Sequence, residues 1–174
     1  MRESIGATWI MIITMTFITL FSGFLAFSIN YSKAFRVKDG VVERIRKFNG
    51  LRSETIDDIN TFLNEIGYKS KGNCWEYYKN EYADNSSAEV IGVDEEHGVH
   101  KPSDNDSSNY CIIKVKSPKS GSNKSQSSFY KIVVFYSLRI GVVNLGSTFR
   151  VTGETPQLLY VVDEFDGRNL YRKS

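Results

Sequence analysis

The residues of this 174-residue chain that invite a chemical reading are two cysteines, two histidines and the carboxylates near them. Cys74 and Cys111 have no further cysteine or histidine at metal-ligand spacing, so a zinc ribbon or a redox Cys-x-x-Cys site is excluded. Cys74 opens one candidate strand and Cys111 another, which makes a bridge between neighbouring strands geometrically easy. Closing the chain between them removes unfolded-state entropy worth about 4 kcal/mol in the chain-entropy account. Such a bridge persists in an oxidising compartment; the alternative is a pair of buried thiols facing the cytoplasm.

His97 and His100 form a His-x-x-His spacing directly after Asp94, Glu95 and Glu96. On a helix that pattern places two imidazoles side by side for a metal ion. Gly98 and Pro102 argue for an exposed loop instead, and residues 94–109 read as such a loop. No Gly-x-Ser-x-Gly or Ser-x-x-Lys element offers a nucleophile, and no glycine-rich loop offers a phosphate cradle. The chain therefore reads as non-catalytic, without cofactor or metal, and with no small-molecule substrate evident. Its net charge of +2 makes no case for nucleic acid.

The elements around these residues explain more. Ala7 to Ile29 carries no charged residue. A helix of that length reaches roughly 35 Å, enough to cross a hydrocarbon core with some tilt. It is too long for the apolar core of a cleaved signal, so a retained single membrane span is expected over 7–29, after a short leader at 1–6. Thr19 with Gly23, and Ser22 with Ala26, are small-residue pairs four apart that let another helix approach closely in lipid. Trp9 and Tyr31 stand near the two ends, where amphipathic rings favour the interface.

Helical periodicity continues past the span. Ala34, Val37, Val41, Ile45 and Phe48 form an apolar stripe on a charged background, predicting a stalk extension over 30–50 with a seam for neighbouring helices. The basic residues of that segment face anionic lipid headgroups or solvent. Asn49-Gly50 ends it. Ser53 then caps a second helix whose buried face is Ile56, Ile59, Phe62, Leu63 and Ile66, closed by Gly67.

The remainder of the 51–174 head reads as β-rich. Candidate strands run from Cys74 through Tyr78, over 88–93, from Cys111, and along a long stretch from Phe129. On the last, Tyr130, Ile132, Val134 and Tyr136 alternate with Val133 and Phe135, as a central strand would, with one face on helix 53–66. Two further strands are expected around the turn Gly153-Glu154-Thr155-Pro156, the second over 158–165. The expected fold class is α+β: a membrane and stalk helix followed by one helix packed on a mostly antiparallel sheet.

Orientation is contested within the sequence. Lys33, Arg36, Lys38, Arg44, Arg46 and Lys47 follow the span, which by the positive-inside rule points the head to the cytoplasm. The cysteine pair and the Ser/Asn-rich loops point outward.

The order of parts resembles the pilin and pseudopilin plan, and more specifically the TadE-like minor pseudopilins of tight-adherence pili in their divergent Gram-positive form. Gly6-Ala7 at the span's start, Asn30-Tyr31-Ser32-Lys33-Ala34-Phe35 at its exit, Gly67-Tyr68 to Cys74, Phe129 to Phe135 and Val151-Thr152-Gly153-Glu154-Thr155 carry the resemblance. It implies a head outside the membrane, a disulfide, lateral packing against other pilin-like subunits, and a role in pilus or secretion-apparatus assembly. Prepilins usually carry a glutamate five residues after the processed glycine; here that position is Met11, so the processing pattern is incomplete. A membrane-anchored sensor using loop 94–109 and a cytoplasmic-facing anchored regulator are the competing expectations.

Overall fold

The computed structural model describes residues 2–82, 87–94, 98–116, 127–140 and 143–158. The order of elements is α1 (Arg2–Lys47), α2 (Ser53–Glu65), α3 (Cys74–Tyr82), β1 (Ala88–Asp94), β2 (Gly98–His100), β3 (Tyr110–Lys116), β4 (Ser128–Ile140) and β5 (Val143–Glu154). Every neighbouring strand pair is antiparallel, in the order β2-β1-β3-β4-β5. The fold class is α+β, with the expected long N-terminal apolar helix leading into the head.

Helix α1 is unbroken from leader to stalk. Both α1 and α2 end in the same local device. In each, a residue in the left-handed region follows the last turn: Asn49 (φ 54°) after α1 and Gly67 (φ 60°) after α2. Gly50 N–H then reaches back to Ile45 C=O at 3.1 Å, and Tyr68 N–H to Leu63 C=O at 2.9 Å, so orphan carbonyls are satisfied. The start of α2 differs from expectation by a residue. Arg52 occupies the cap, and the buried Thr55 hydroxyl accepts from Arg52 N–H while donating to Gly50 C=O.

The sheet is covered on both faces, which corrects the expectation of a single helix packed on it. On one face Tyr130, Ile132, Val134 and Tyr136 meet Tyr110 and Ile112 of β3 and Ile91 and Val93 of β1. The cover there is α1 itself, through Ala34, Val37, Val41 and Ile45, with α2 alongside contributing Ile56, Ile59 and Leu63. The stalk extension is therefore the spine of the head. Val37, Val41 and Ile45 have no exposed surface, so this part of the seam serves the chain's own sheet and offers nothing to a neighbouring helix. Phe48, at its end, is half-buried.

On the opposite face Val133 and Phe135 pack with Ile113, Val115, Val90 and α3. Residues 74–78, expected as a strand, lie in helix α3. The cap is Asn73, whose Oδ1 accepts from Glu76 N–H at 2.9 Å. Cys74 and Tyr77 are buried against the sheet, and Trp75, Tyr78 and Tyr82, half-buried, stack along the helix against the same cluster. Tyr68 ties α2 to the sheet's interior: its hydroxyl accepts from Phe135 N–H and donates among the carbonyls of Phe135 and Asn109.

Residues 94–109 are less loop-like than expected. Asp94 ends β1, Val99 sits in β2, and Ser108 and Asn109 are buried. His97, the polar β3–β4 connection and the strand expected over 158–165 lie outside the described residues except at Leu158, which bridges to Ser128.

Candidate functional site

The N-terminal part of α1 is long and apolar enough to cross a membrane, and its threonines are satisfied within the helix. Thr14, Thr16 and Thr19 donate to the carbonyls four residues earlier at 2.8–2.9 Å, which leaves no hydroxyl hydrogen seeking a partner in lipid. Trp9, Ile13, Phe17, Leu20 and Phe24 are each more than half exposed. Large apolar side chains presented this way to water would be strongly unfavourable, and in a bilayer they are at home. The mean hydropathy of the window, 2.2, fits the same reading, and none of it is buried by the head.

Where the helix leaves this zone, an aromatic collar forms. Phe27, Tyr31 and Phe35 follow one another at helical spacing, with Tyr31 and Phe35 ring centroids 5.3 Å apart. Across from them stand Tyr136 of β4 and Phe149 of β5, opposite residues in the sheet register, stacked at 5.3 Å. Phe27 meets both edge-on at 6.3 Å, and Tyr31 meets Tyr136 at 6.0 Å. Burial holds the Tyr136 phenol above its ordinary pKa, with Tyr31 reinforcing it, so the ring stays neutral. Half-exposed aromatic rings at a helix exit are the arrangement expected at a membrane–water interface. Tyr31 was foreseen there; the partners on the sheet were not, because only strand register brings 136 and 149 together.

Just beyond the collar, the basic flank is partly consumed by the head. Lys33 donates to Gly67 C=O at 2.7 Å, at the C-terminal end of the α2 dipole. Lys38 lies over the Phe35 ring, and Arg44 lies over Phe62 at 3.9 Å while pairing with Asp58 at 3.2 Å. Arg36, Arg46 and Lys47 stay exposed.

Of the small residues proposed for helix contact, Thr19 and Ser22 are exposed, whereas Gly23 and Ala26 are half-buried. Gly23 and Ala26 lie on the same side of α1 as Asn30, Ala34 and Val37, which is the side that meets the sheet. They are thus partly screened by their own chain.

Cys74 and Cys111 are joined by a disulfide with Cα atoms 5.6 Å apart, and both are fully buried. The bridge links the first turn of α3 to β3 rather than one strand to another. Nearby, Lys131 of β4 donates to Glu81 at 2.8 Å, and the Tyr77 hydroxyl donates to the same carboxylate at 2.6 Å. Glu81 is held below the usual carboxylate range, first by the Lys131 hydrogen bond and then by Tyr77. Burial pushes Tyr77 up to about 12, with the Glu81 bond adding to it. For Lys131 burial acts against the charge, yet the bonds to Glu81 and Tyr77 win and raise its pKa. This network fastens α3 to the sheet.

One arrangement superficially resembles a hydrolase triad. His100 Nε2 lies 3.3 Å from Ser108 Oγ, and His100 Nδ1 is 4.0 Å from Asp94 Oδ2. Ser108 has no exposed surface and its hydroxyl is pressed against Gly92, leaving no path for a substrate carbonyl. The group clamps the β1–β2 ribbon to the segment before β3. Among the described residues no His, Cys, Asp and Glu cluster is disposed to hold a metal. The cleft lined by Asn60, Tyr68, Asp94 and Asn109 encloses about 20 Å³, room for roughly one water.

No protein-family model, curated protein or solved structure matches this chain.

Proposed function

We propose that this protein is a non-catalytic, single-span membrane protein whose head lies outside the cytoplasm. In this reading it is a minor pseudopilin-like component in the assembly of a tight-adherence pilus or a related secretion apparatus. The observation that carries the proposal is the division of labour within α1. One continuous helix presents a bare apolar surface over its N-terminal part and becomes the core of an antiparallel head over its C-terminal part. A simple anchor needs no such continuity. A subunit that must transmit lateral packing in the membrane to the position of its head does, because a helix fused into a core cannot swivel independently of it. The buried disulfide supports the outside placement. The narrowness of the α2–β1 cleft favours an assembly role over ligand sensing.

The test is photocrosslinking in intact membranes from Ile12, Ile13 and Ile18, all exposed and pointing to three different sides of α1, combined with protease added to whole cells. Adducts with other short single-span subunits, and a head cleaved from outside, are expected. Protection of the head in intact cells, or adducts with lipid alone at all three positions, would refute the role.

A further inference from the structure

We infer that the head is seated on the bilayer surface. The segment Gly67 to Gly72 holds Lys69 and Lys71 against the headgroups of anionic phospholipid, while the aromatic collar rests in the same interface on the other side of α1. The inference rests on α1 being a membrane span. It holds whichever side of the membrane the head occupies, and it is independent of the pilin-like role.

The height of the segment is fixed at both ends. The uncharged stretch of α1 ends at Ile29, and Lys33 is the first charged residue after it, about 6 Å further along the helix axis. That distance is roughly the depth of one headgroup layer. A helical lysine leans toward the N-terminus of its helix, here toward the membrane. The Lys33 ammonium donates to Gly67 C=O at 2.7 Å, which pins the start of the segment near the level of Tyr31. At the other end Gly72 lies against the ring of Phe135, the residue before Tyr136 of the collar. Between these points Tyr68 turns into the head, and Lys69 and Lys71 are exposed.

The groups around the helix exit suit that depth. Lys33 and Tyr31 are two residues apart, about 200° on a helix, so the lysine segment and the collar stand on nearly opposite sides of α1. Arg36 is exposed on a third side. Tyr31, Phe35 and Phe149 remain 42%, 38% and 39% exposed. The headgroup layer accepts half-exposed rings and positive charge together, whereas water favours only the charge. Among the described residues the acids near this end are mostly spent within the head. Asp94 is buried, Asp106 accepts from Ser103, and Asp104 pairs with Lys79 at 3.5 Å. Glu65 is exposed, so Lys33, Arg36, Lys69 and Lys71 keep three positive charges in excess of it. Arg46 and Lys47, in the last turn of α1, stand about 20 Å farther from the membrane and take no part.

The experiment uses the full-length protein in nanodiscs of phosphatidylcholine and phosphatidylglycerol, with nickel chelated to some of the headgroups. A nitroxide at Ser70→Cys reports contact with the nickel, since the native cysteines are closed in their disulfide. Ser32→Cys at the helix exit and Lys47→Cys at the far end of α1 are the references. Contact at 70 comparable with that at 32, and several-fold above that at 47, is expected. A second measurement follows the preference of the protein for spin-labelled phosphatidylglycerol over phosphatidylcholine. Lys69→Ala with Lys71→Ala should lower it by about fivefold for each lysine, and Arg46→Ala with Lys47→Ala should leave it unchanged. A label at 70 no closer to the headgroups than one at 47 overturns the seat. So does a lipid preference that ignores the lysine pair or falls equally with the Arg46 and Lys47 pair. A label at 32 without headgroup contact overturns the span and the seat together. Closure of the Cys74–Cys111 bridge checks folding in each variant, and Lys69→Gln with Lys71→Gln repeats the measurement if the alanine pair fails that check.

Discussion

Gly40 of α1 lies directly beneath the ring of Phe62 of α2, so close that a Cβ at position 40 would overlap the ring's edge. The Arg44 guanidinium lies over the face of the same ring, 3.9 Å from its centroid, and itself pairs with Asp58. Gly40 therefore sets how near the two helices come.

Replacing an interior helical glycine with alanine ordinarily stabilises by about 1 kcal/mol. Gly40→Ala should do the reverse, losing about 1 kcal/mol because Phe62 must move. Thermal unfolding in detergent is the measurement, and Phe62→Leu in the same background should recover the loss. A stabilised Gly40→Ala protein would show that the contact is looser than described.

Replacing both Cys74 and Cys111 with alanine should lower stability by about 4 kcal/mol, since the bridge closes a sequence separation of 37 residues. Protein taken from its membrane under thiol-blocking conditions should show no free thiol before reduction and two after it. Fully alkylated cysteines without prior reduction would place the head in a reducing compartment and sink the outside placement.

The Glu81–Lys131–Tyr77 network predicts pH dependence at both ends. Glu81 has a lowered folded pKa, so its contribution is present above the ordinary glutamate range and is lost as pH falls through the lowered value. Glu81→Gln should cost under about 1 kcal/mol at neutral pH, the site being largely exposed, with the gap closing in acid. Tyr77 and Lys131 have raised folded values, so their contributions are complete below the unfolded pKa values near 10 and are lost as pH rises, for Tyr77 through about 12. Denaturant titrations across pH check this; a difference between the proteins that stays constant into acid would exclude the network.

Several elements were legible because their signals are local. An uncharged run long enough to span hydrocarbon, the period of the stripe from Ala34 to Ile45, the apolar face and closing glycine of α2, and the alternation along β4 each reflect the backbone's own geometry. Helix α3 was misread because Cys, Trp and Tyr favour strands on average. Its one local cue was Asn73 followed three residues later by Glu76, a helix-start pattern. Burial of Cys74 and Tyr77 on a face already committed to the disulfide outweighed the strand preference.

What the sequence determined by itself is that a helix long and apolar enough to cross a membrane runs on into an amphipathic stripe and that an antiparallel head follows. What only the tertiary structure decided is what each surface meets. The stripe of Val37, Val41 and Ile45 marks a face to be buried, and a periodic pattern cannot say whether its partner is another chain or the same one. Folding brought β4 and β5 back onto it, because an intramolecular sheet pairs at no translational cost. The same register set Tyr136 against Phe149 beside Phe27. Contacts between residues so far apart in the chain have no local signature, and they exist only once the sheet is formed.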